Sequence, residues 1–538
     1  MARILTFDDE ARKKLKSGVD QLANAVSATL GPAGRTVVIE KDHEHVSTKD
    51  GVSVAKEIDL EDAVENSGAQ MVKEVANQVN DAAGDGTTTA TVLAQAIFSE
   101  GLKTLSSGGN AVEVKRGIDK AVKEVISDLD KMSNEVKSSE EIQQVGKISA
   151  NGDEGIGNLI SAAMDRVGRE GVVTVEENNT AEDELEVVEG MQFERGYLSP
   201  YFITNQQELK VQLENPWILL YDKKISSLKD LVKVLEQAIA ANKPLFIIAE
   251  DIEGEALAGL IVNKARGTLQ VAAVKAPEFG DRRTQYLEDL AALTGGTVIS
   301  PNKGLKLDKV TADDFGTCKM ITVTNKYTTI IDGAGSVEDI EARCEEIKTL
   351  IDNSTSDYET EKAQERLAKL SGGVAILKVG AESELELKEK KDRVEDALNA
   401  TRAALDEGII PGGGVALKRA VEGIEFGCYD NADQNDGALI ISRACEKPFD
   451  TIMENAGLNS EVIWNKIEAS EYNGTGGYDA RREIVVDMFD AGIIDPTKVT
   501  KTALQKAASV AGTLLTTECV ITSAKTDKDE SAPMMPMM

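Results

Sequence analysis

The stretch richest in chemistry is Gly84-Asp85-Gly86-Thr87-Thr88-Thr89-Ala90. Glycines let a backbone approach a ligand closely. A helix that begins here and runs through Thr91-Val92-Leu93-Ala94-Gln95-Ala96-Ile97-Phe98 offers free N–H groups and a positive dipole end. Threonine hydroxyls add hydrogen-bond donors, and a carboxylate beside phosphate oxygens is a natural magnesium ligand. The same residues also make a plain helix start, because Asp and Thr are ordinary N-terminal residues. On this stretch alone both readings stand.

Four other loops carry related residue types. Thr29-Leu30-Gly31-Pro32-Ala33-Gly34 is a helix-end turn with exposed backbone, and Lys49-Asp50-Gly51 is a turn bearing one cation and one anion. Gly412-Gly413-Gly414 opens a helix without side chains to obstruct a ligand, and Asp495-Pro496 follows the apolar Ile493-Ile494. Taken singly, each reads as punctuation. Asp396 lies in Arg393-Val394-Glu395-Asp396-Ala397-Leu398. It is either part of a solvated helix face or, over a magnesium nucleotide, a group that orients or deprotonates an attacking water. No Walker-type loop occurs, which excludes an ordinary P-loop ATPase. His43 and His45 are the only histidines, and two ligands do not close a zinc site.

The elements that must position these residues follow from periodicity. Ala11, Leu15, Val19, Leu22 and Val26 predict a helix that Gly31-Pro32 stops, and Thr36 to Ile39 reads as a strand. Val64, Met71, Val72, Val75 and Val79 predict a helix ending just before Gly84, and Asn110 caps another. Strand candidates at 217–220, 244–249 and 271–274 alternate with helical patterns at 228–241 and 254–265, which suggests an α/β domain with parallel pairing. The apolar residues of those two helices read as core, or as a groove that captures other chains. Residues 382–407 read as a charged helix, and helices resume to about 515. The composition of 410–525 resembles that of 1–130, so the α/β part is expected as an insertion, with hinges at Gly190 and Gly372-Gly373.

Composition narrows the class. The chain has 538 residues, enough for two to four domains, with 41% apolar and 28% charged residues and a net charge of −33. Such a charge repels nucleic acid and anionic membranes, so neither is expected as a partner. Five cysteines without a CxxC pair, no apolar signal core and no long apolar run predict a reduced cytoplasmic protein. The Met-Pro tail after Ser531 is expected to be disordered.

Taken together, Asp85-Gly86-Thr87-Thr88-Thr89, Thr29-Leu30-Gly31-Pro32, Lys49-Asp50-Gly51, Gly412-Gly413-Gly414 and Asp495-Pro496-Thr497-Lys498-Val499 resemble the group I chaperonins, the bacterial GroEL class. So do Gly190-Met191-Gln192-Phe193, Arg195-Gly196-Tyr197-Leu198-Ser199-Pro200-Tyr201 and Ala276-Pro277-Glu278-Phe279-Gly280-Asp281-Arg282-Arg283. The likeness runs from about residue 2 to 525.

It implies a multidomain α and α/β chain. A helical equatorial ATPase domain would span 1–133 and 408–525, a small intermediate hinge domain 134–189 and 374–407, and an inserted α/β apical domain 190–373, with a disordered tail at 526–538. The cofactors implied are ATP and Mg2+, with K+ as a further candidate ion. The partners implied are further copies in a seven-membered ring, single or stacked, together with unfolded client proteins and a lid-like co-chaperonin. By resemblance Asp85 binds the metal, and Gly86, Thr87, Thr88 and Thr89 hold phosphate. Thr29, Leu30, Gly31 and Pro32 line the nucleotide with Lys49 near phosphate, while Asp50 and Asp396 act on the attacking water. Gly413 and Asp495 meet the nucleoside. Asp479 and Ala480 stand where the family has Asn-Ala-Ala after a tyrosine; here the run is Tyr478-Asp479-Ala480-Arg481. Tyr197, Tyr201, Phe202, Val232, Leu235, Leu257, Ile261 and Val262 form the client groove, Gly190 and Gly373 the hinge, and Arg195 with Glu384 a contact within the ring. Ala33 replaces the family's lysine, and the Gly-Gly-Met tail is absent. The function implied is ATP-driven folding of captured proteins in a chamber. A ring that holds clients without a productive cycle, and a nucleotide-regulated enzyme on a small molecule, are the rival readings; no nucleophile–base set stands in 190–372 for the latter.

Overall fold

Helix starts in this chain are written into its caps. Asn110 accepts hydrogen bonds from the amides of Val112 and Glu113 at 3.0 and 3.3 Å, opening the helix Ala111–Met132. Asp62 does the same for Ala63–Ala83. The computed structural model describes residues 3–41, 44–150, 152–168, 171–178, 180–206, 208–353, 357–472 and 474–523. His43 and the Met-Pro tail lie outside the described residues.

The chain divides into two units, the first comprising residues 1–161 and 383–538 and the second residues 162–382. In the first unit, helices from the two ends of the chain share one core. Ala111–Met132 packs on Ala432–Asn455, and Thr87–Ser106 packs on Thr497–Leu515. The strand Arg3–Phe7 pairs antiparallel with Cys519–Ser523, Arg3 opposite Ser523. Small residues set the spacing. Helices Asp8–Ser27 and Ala63–Ala83 cross so closely that a Cβ on Gly18 would lie 1.8 Å from the Glu65 carbonyl oxygen. The buried interior is mostly aliphatic, with Leu15, Leu22, Leu93, Ile97 and Ile118 joined by the aromatic Phe98. Helices Ser139–Ser149 and Glu384–Glu407, assigned above to a hinge domain, pack against each other in this unit.

The second unit is built on an eight-stranded sheet. Val271–Lys275, Leu245–Ile252 and Trp217–Ile225 run parallel, as the continuous apolar runs require when both faces are covered. Helices Leu228–Ala241 and Gly254–Ala265 fall at the expected residues. The sheet is mixed rather than purely parallel: Gly316–Val323, Thr328–Gly333 and Gly190–Phe193 continue it antiparallel. A separate three-stranded sheet joins Val172–Glu177, Val374–Val379 and Glu184–Val188. Gly190 lies in the ladder opposite Ile331, and Gly373 has φ +66°, a conformation that favours glycine.

The second unit also buries charge. Asp289, fully enclosed, receives the Arg343 Nε at 2.7 Å and the Arg366 Nε at 2.8 Å. Asp222 accepts from Arg283, Thr284 and Ser300. Among the described residues no helix is long and apolar enough to cross a membrane.

Candidate functional site

Gly84 ends the Ala63–Ala83 helix at φ +72°, and Gly86 opens the Thr87–Ser106 helix at φ +84°. No side chain caps that second helix, so the amides of Thr87, Thr88 and Thr89 have no partner within its first turn. This pair of left-handed glycines turns the chain sharply and leaves Asp85 between a helix end and a helix start. The Asp85 carboxylate accepts from the Gly86 amide and from the Ser149 hydroxyl.

Around this turn, within the first unit, lies a cleft of about 680 Å³. It gathers the five separate loops of the sequence. Thr29, Leu30, Gly31 and Pro32 form one wall, and Lys49, Asp50, Thr87, Thr88 and Thr89 another. Gly413 lies in the turn after the strand Ile409–Pro411, which pairs with Ile494–Pro496, the strand that holds Asp495; Asp479 and Ala480 come from the hairpin Gly476–Asp479 and Ile484–Asp487. Asp396 reaches the cleft from the Glu384–Glu407 helix, 24 residues long and capped by Ser383. Close packing holds these walls together: a Cβ on Gly51 would lie 2.1 Å from the Thr88 hydroxyl, and one on Gly86 2.5 Å from Val499 Cγ1.

The electrostatics of the cleft are lopsided. Burial, then repulsion from Asp85 and Asp50, pushes the Asp396 carboxyl up to about 9. Asp495 is pushed up to about 7 by burial and by Asp85, although the Gly413 amide partly offsets this. Asp85 is raised by burial and by Asp50. Burial and mutual repulsion thus disfavour the ionised forms of all three carboxyls, and a bound cation would favour them. The described residues contain no group of three or more His, Cys, Asp or Glu side chains placed to hold a metal. A magnesium ion brought in on phosphate needs only one or two carboxylates, and Asp85 beside a bare helix N-terminus fits that demand. K+ has no comparable mark here.

Several of these lining residues also make hydrogen bonds within the fold. Each Asp50 oxygen also caps the Gly51–Lys56 helix, accepting from the amides of Val52 at 3.2 Å and Ser53 at 2.7 Å. The Thr29 hydroxyl donates to the Val26 carbonyl at 2.8 Å, so this residue lines the cleft without offering its proton to it. Asp479 turns its carboxylate onto the amides of Arg481 and Arg482. Missed in the sequence were Ser149, which bonds Asp85, and Arg481 and Arg482 at the cleft's rim. Nothing local to Ser149 marks it, whereas Asp392, also lining the cleft, stands one helical turn before Asp396 and was legible by spacing.

The apolar residues lie in the second unit. Tyr201 is 75% exposed, and Val232 and Val262 present 41% and 45% of their surface. Tyr197, Leu257 and Ile261 are half-buried against the core. Phe202 and Leu235 are corrections to the expected groove, because both are buried. Leu235 shares the inward face of its helix with Leu231, Val234 and Ala238. Phe202 follows Tyr201 in a one-turn helix that points the two rings opposite ways, one to solvent and one to the core. Lys264 ties this turn to the neighbouring helix by donating to the carbonyls of Tyr201 and Ile203. Arg195 donates to the Ala276 carbonyl and lies over the Phe279 ring, while Glu384 is an exposed first-turn residue of the first unit.

Residues 22–525 match the model of the TCP-1/cpn60 chaperonin family. Among solved structures the chain is similar to the chaperonin gp146 from the bacteriophage EL 2 (Pseudomonas aeruginosa), crystallised in the presence of ATP-BeFx. The two share 23% identity with a TM-score of 0.72, over 97% of this chain and 100% of that one. The match to the family model spans nearly the whole sequence, and the multidomain α and α/β architecture agrees with it. The chain is therefore a member of the TCP-1/cpn60 chaperonin family.

Proposed function

We propose that the chain is an ATP-dependent chaperonin subunit that hydrolyses Mg-ATP in the first unit and captures non-native proteins on the second. The observation that carries this reading is the crowding of Asp85, Asp396 and Asp495 beside an uncapped helix start, a charge arrangement that a magnesium nucleotide would relieve. Asp85 would hold the magnesium ion, whose positive charge would offset that of the carboxylates and phosphates. The amides of Thr87, Thr88 and Thr89 and the hydroxyls of the half-exposed Thr88 and Thr89 orient the phosphates. Lys49 lies at the cleft's edge as a counter-charge. Asp396 would accept a proton from the attacking water, a role that a cation held at Asp85 would favour by stabilising its carboxylate. Asp50 holds the loop that carries Lys49 and, with Asp396, would act on the attacking water. The ATP-BeFx in the phage chaperonin's crystal supports a nucleotide in this fold.

Tyr201, Val232 and Val262 offer the apolar surface for clients, each buried contact gaining roughly 25 cal/mol per Å². The assembly that fits this reading is a ring of copies, seven in number, single or stacked, with a lid-like partner. The domains would run as an equatorial pair at 1–133 and 408–525, hinge pieces at 134–189 and 374–407, and an apical insert at 190–373. Gly190 and Gly373 would serve as hinges, and Arg195 with Glu384 as a contact between copies. ATPase rate with and without an unfolded protein, measured beside particle mass, tests the whole. A ring-sized particle whose ATPase responds to client supports folding by cycling. A ring that binds client with no change in turnover supports a holdase, and a small particle with no client response removes the chaperonin reading.

A further inference from the structure

With 93 acidic residues against 60 basic ones, this chain has carboxylates to spare for its cations. Yet Lys229, Lys233, Lys264 and Arg266 make no ion pair among the described residues. Lys229 and Lys233 lie on the helix Leu228–Ala241, Lys264 lies in the last turn of Gly254–Ala265, and Arg266 ends that helix. The carboxylates on the same stretches, 228–241 and 259–266, are Asp230 and Glu236, so the local balance is positive where that of the whole chain is negative.

These cations stand beside exposed apolar side chains. Each of the two helices returns the chain from one parallel strand to the next, so both run in the same direction. They meet where Gly259 leaves room for Leu228: a Cβ on Gly259 would lie 2.6 Å from Leu228 Cδ1. About one turn beyond that contact come the exposed Val232 on one helix and the exposed Val262 on the other, with Ile239, also exposed, about two turns further along the first. Lys233 follows Val232 and donates to the Asp308 carbonyl at 2.8 Å. Lys264 donates to the carbonyls of Tyr201 at 2.9 Å and Ile203 at 2.7 Å, which anchors it next to the exposed Tyr201. Partial burial lowers the Lys264 ammonium from its ordinary pKa, and no carboxylate offsets this. An ammonium has three donors, so each of these lysines keeps at least one N–H for a ligand. A segment carrying a carboxylate next to its own apolar residues matches such a surface. A basic segment would meet like charge, and an uncharged one would leave the partly buried ammonium unpaired.

We infer that this surface selects, among non-native chains, segments in which acidic residues flank apolar ones, with Lys233 and Lys264 meeting the carboxylates and Tyr201, Val232 and Val262 the apolar side chains. The inference rests on the capture of clients by the second unit proposed above and names the class of segment captured. The test uses the full chain without nucleotide and three peptides of about twelve residues, each with an uncharged dye and the same pattern of Leu, Phe and Ser. They differ at two positions, which hold Glu, Gln or Lys, and binding is read by fluorescence anisotropy. Expected for the wild type is the order Glu, Gln, Lys from tightest to weakest, about threefold to tenfold at each step, the reverse of what a net charge of −33 would impose. Lys264→Met and Lys233→Met keep an apolar stem. Each should weaken the Glu peptide about twofold to fivefold and move the Gln peptide by less than about twofold. Lys264→Arg should keep the order. Raising salt from about 0.05 M to about 0.5 M should bring the three affinities together. Equal affinities in the wild type at low salt, or the order Lys, Gln, Glu, overturn the inference. So does an equal loss for all three peptides in both methionine variants, because the lysines would then only hold the surface in shape. Lys233→Met, on the other helix, keeps the test decisive where Lys264→Met unsettles the turn at Tyr201. The capture reading is judged separately: it falls, and this inference with it, if the wild type binds none of the three peptides. It stands if Tyr201→Ser weakens all three alike.

Discussion

Replacing Asp396 by asparagine should stabilise the unit that holds the cleft while removing its chemistry. In the chain without cation or nucleotide, burial and the charges of Asp85 and Asp50 move the Asp396 carboxyl from its ordinary 3.8 to about 9. Between those values the folded chain keeps a proton that the unfolded chain has released, so stability falls as pH rises through the window and levels off above about 9. At pH 7 the span above 3.8 corresponds to about 4 kcal/mol. The side chain is partly open to solvent and its repulsion is shared with Asp85 and Asp50, so about 2 kcal/mol is the expected gain on neutralising it. The measurement is urea unfolding in a chelator, without nucleotide and at fixed protomer concentration. Trp464 is a suitable reporter, since it packs edge-on against Phe449 in the first unit, 5.4 Å between ring centroids. Trp217→Phe silences the other tryptophan, which stacks on Phe315 in the second unit. The gap between Asp396→Asn and the parent should be near zero at pH 4 and widen towards pH 8. A gap that does not change with pH, or a variant less stable than its parent at pH 7.5, would refute the electrostatic account.

Four further outcomes follow from the same geometry. Asp396→Ala should keep nucleotide binding and lose about 10²-fold to 10⁴-fold in turnover, as expected for a lost general base and read by steady-state phosphate release. Gly86→Ala combines a left-handed backbone with a Cβ 2.5 Å from Val499 Cγ1, and should lose about 2–5 kcal/mol in urea unfolding. Gly427→Ala, at φ +88° with nothing within 4 Å, should lose only about 1 kcal/mol and is its control. Asp289→Ala strands Arg343 and Arg366 and should cost the second unit about 3–5 kcal/mol, seen by Trp217 fluorescence while nucleotide binding in the first unit persists. Tyr201→Glu should abolish capture of an unfolded protein with ATPase intact, whereas Leu235→Glu should unfold its domain instead.

What the sequence made legible was local, and what it hid was set by distant parts of the chain. Periodicity and caps placed the helices Leu228–Ala241 and Gly254–Ala265 and the cap at Asn110, because a helix's buried face and its free amides are satisfied by near neighbours. The parallel strands were legible for the same reason. Their antiparallel continuation through Gly316–Val323 was not, since pairing partners a hundred residues apart leave no local signal. The glycines at 84 and 86 could be read as a turn, yet only the fold shows that the helix start stays uncapped. Exposure was the weakest inference. Tyr201 and Phe202 are adjacent and both aromatic, and one is 75% exposed while the other is fully enclosed, a difference decided by the sheet beneath them.

The behaviour of Asp396 explains why its chemistry could not be read from its neighbours in the sequence. Flanked by Arg393, Glu395 and, one turn back, Asp392, it looks like part of a charged surface. Its proton affinity is governed instead by burial and by Asp85 and Asp50, some three hundred residues earlier in the chain. A carboxyl held protonated is a poor base; a cation held at Asp85 would favour its ionised form and make it a better one. Mg-ATP binding at neutral pH should therefore release protons into solution. In calorimetry the apparent binding enthalpy should shift with the ionisation enthalpy of the buffer, by a slope near one proton per site at pH 7. That slope should shrink in Asp396→Asn and as the pH approaches 9. An enthalpy independent of buffer at pH 7 would mean that Asp396 is already ionised before ligand arrives, and its coupling to the metal site would have to be abandoned.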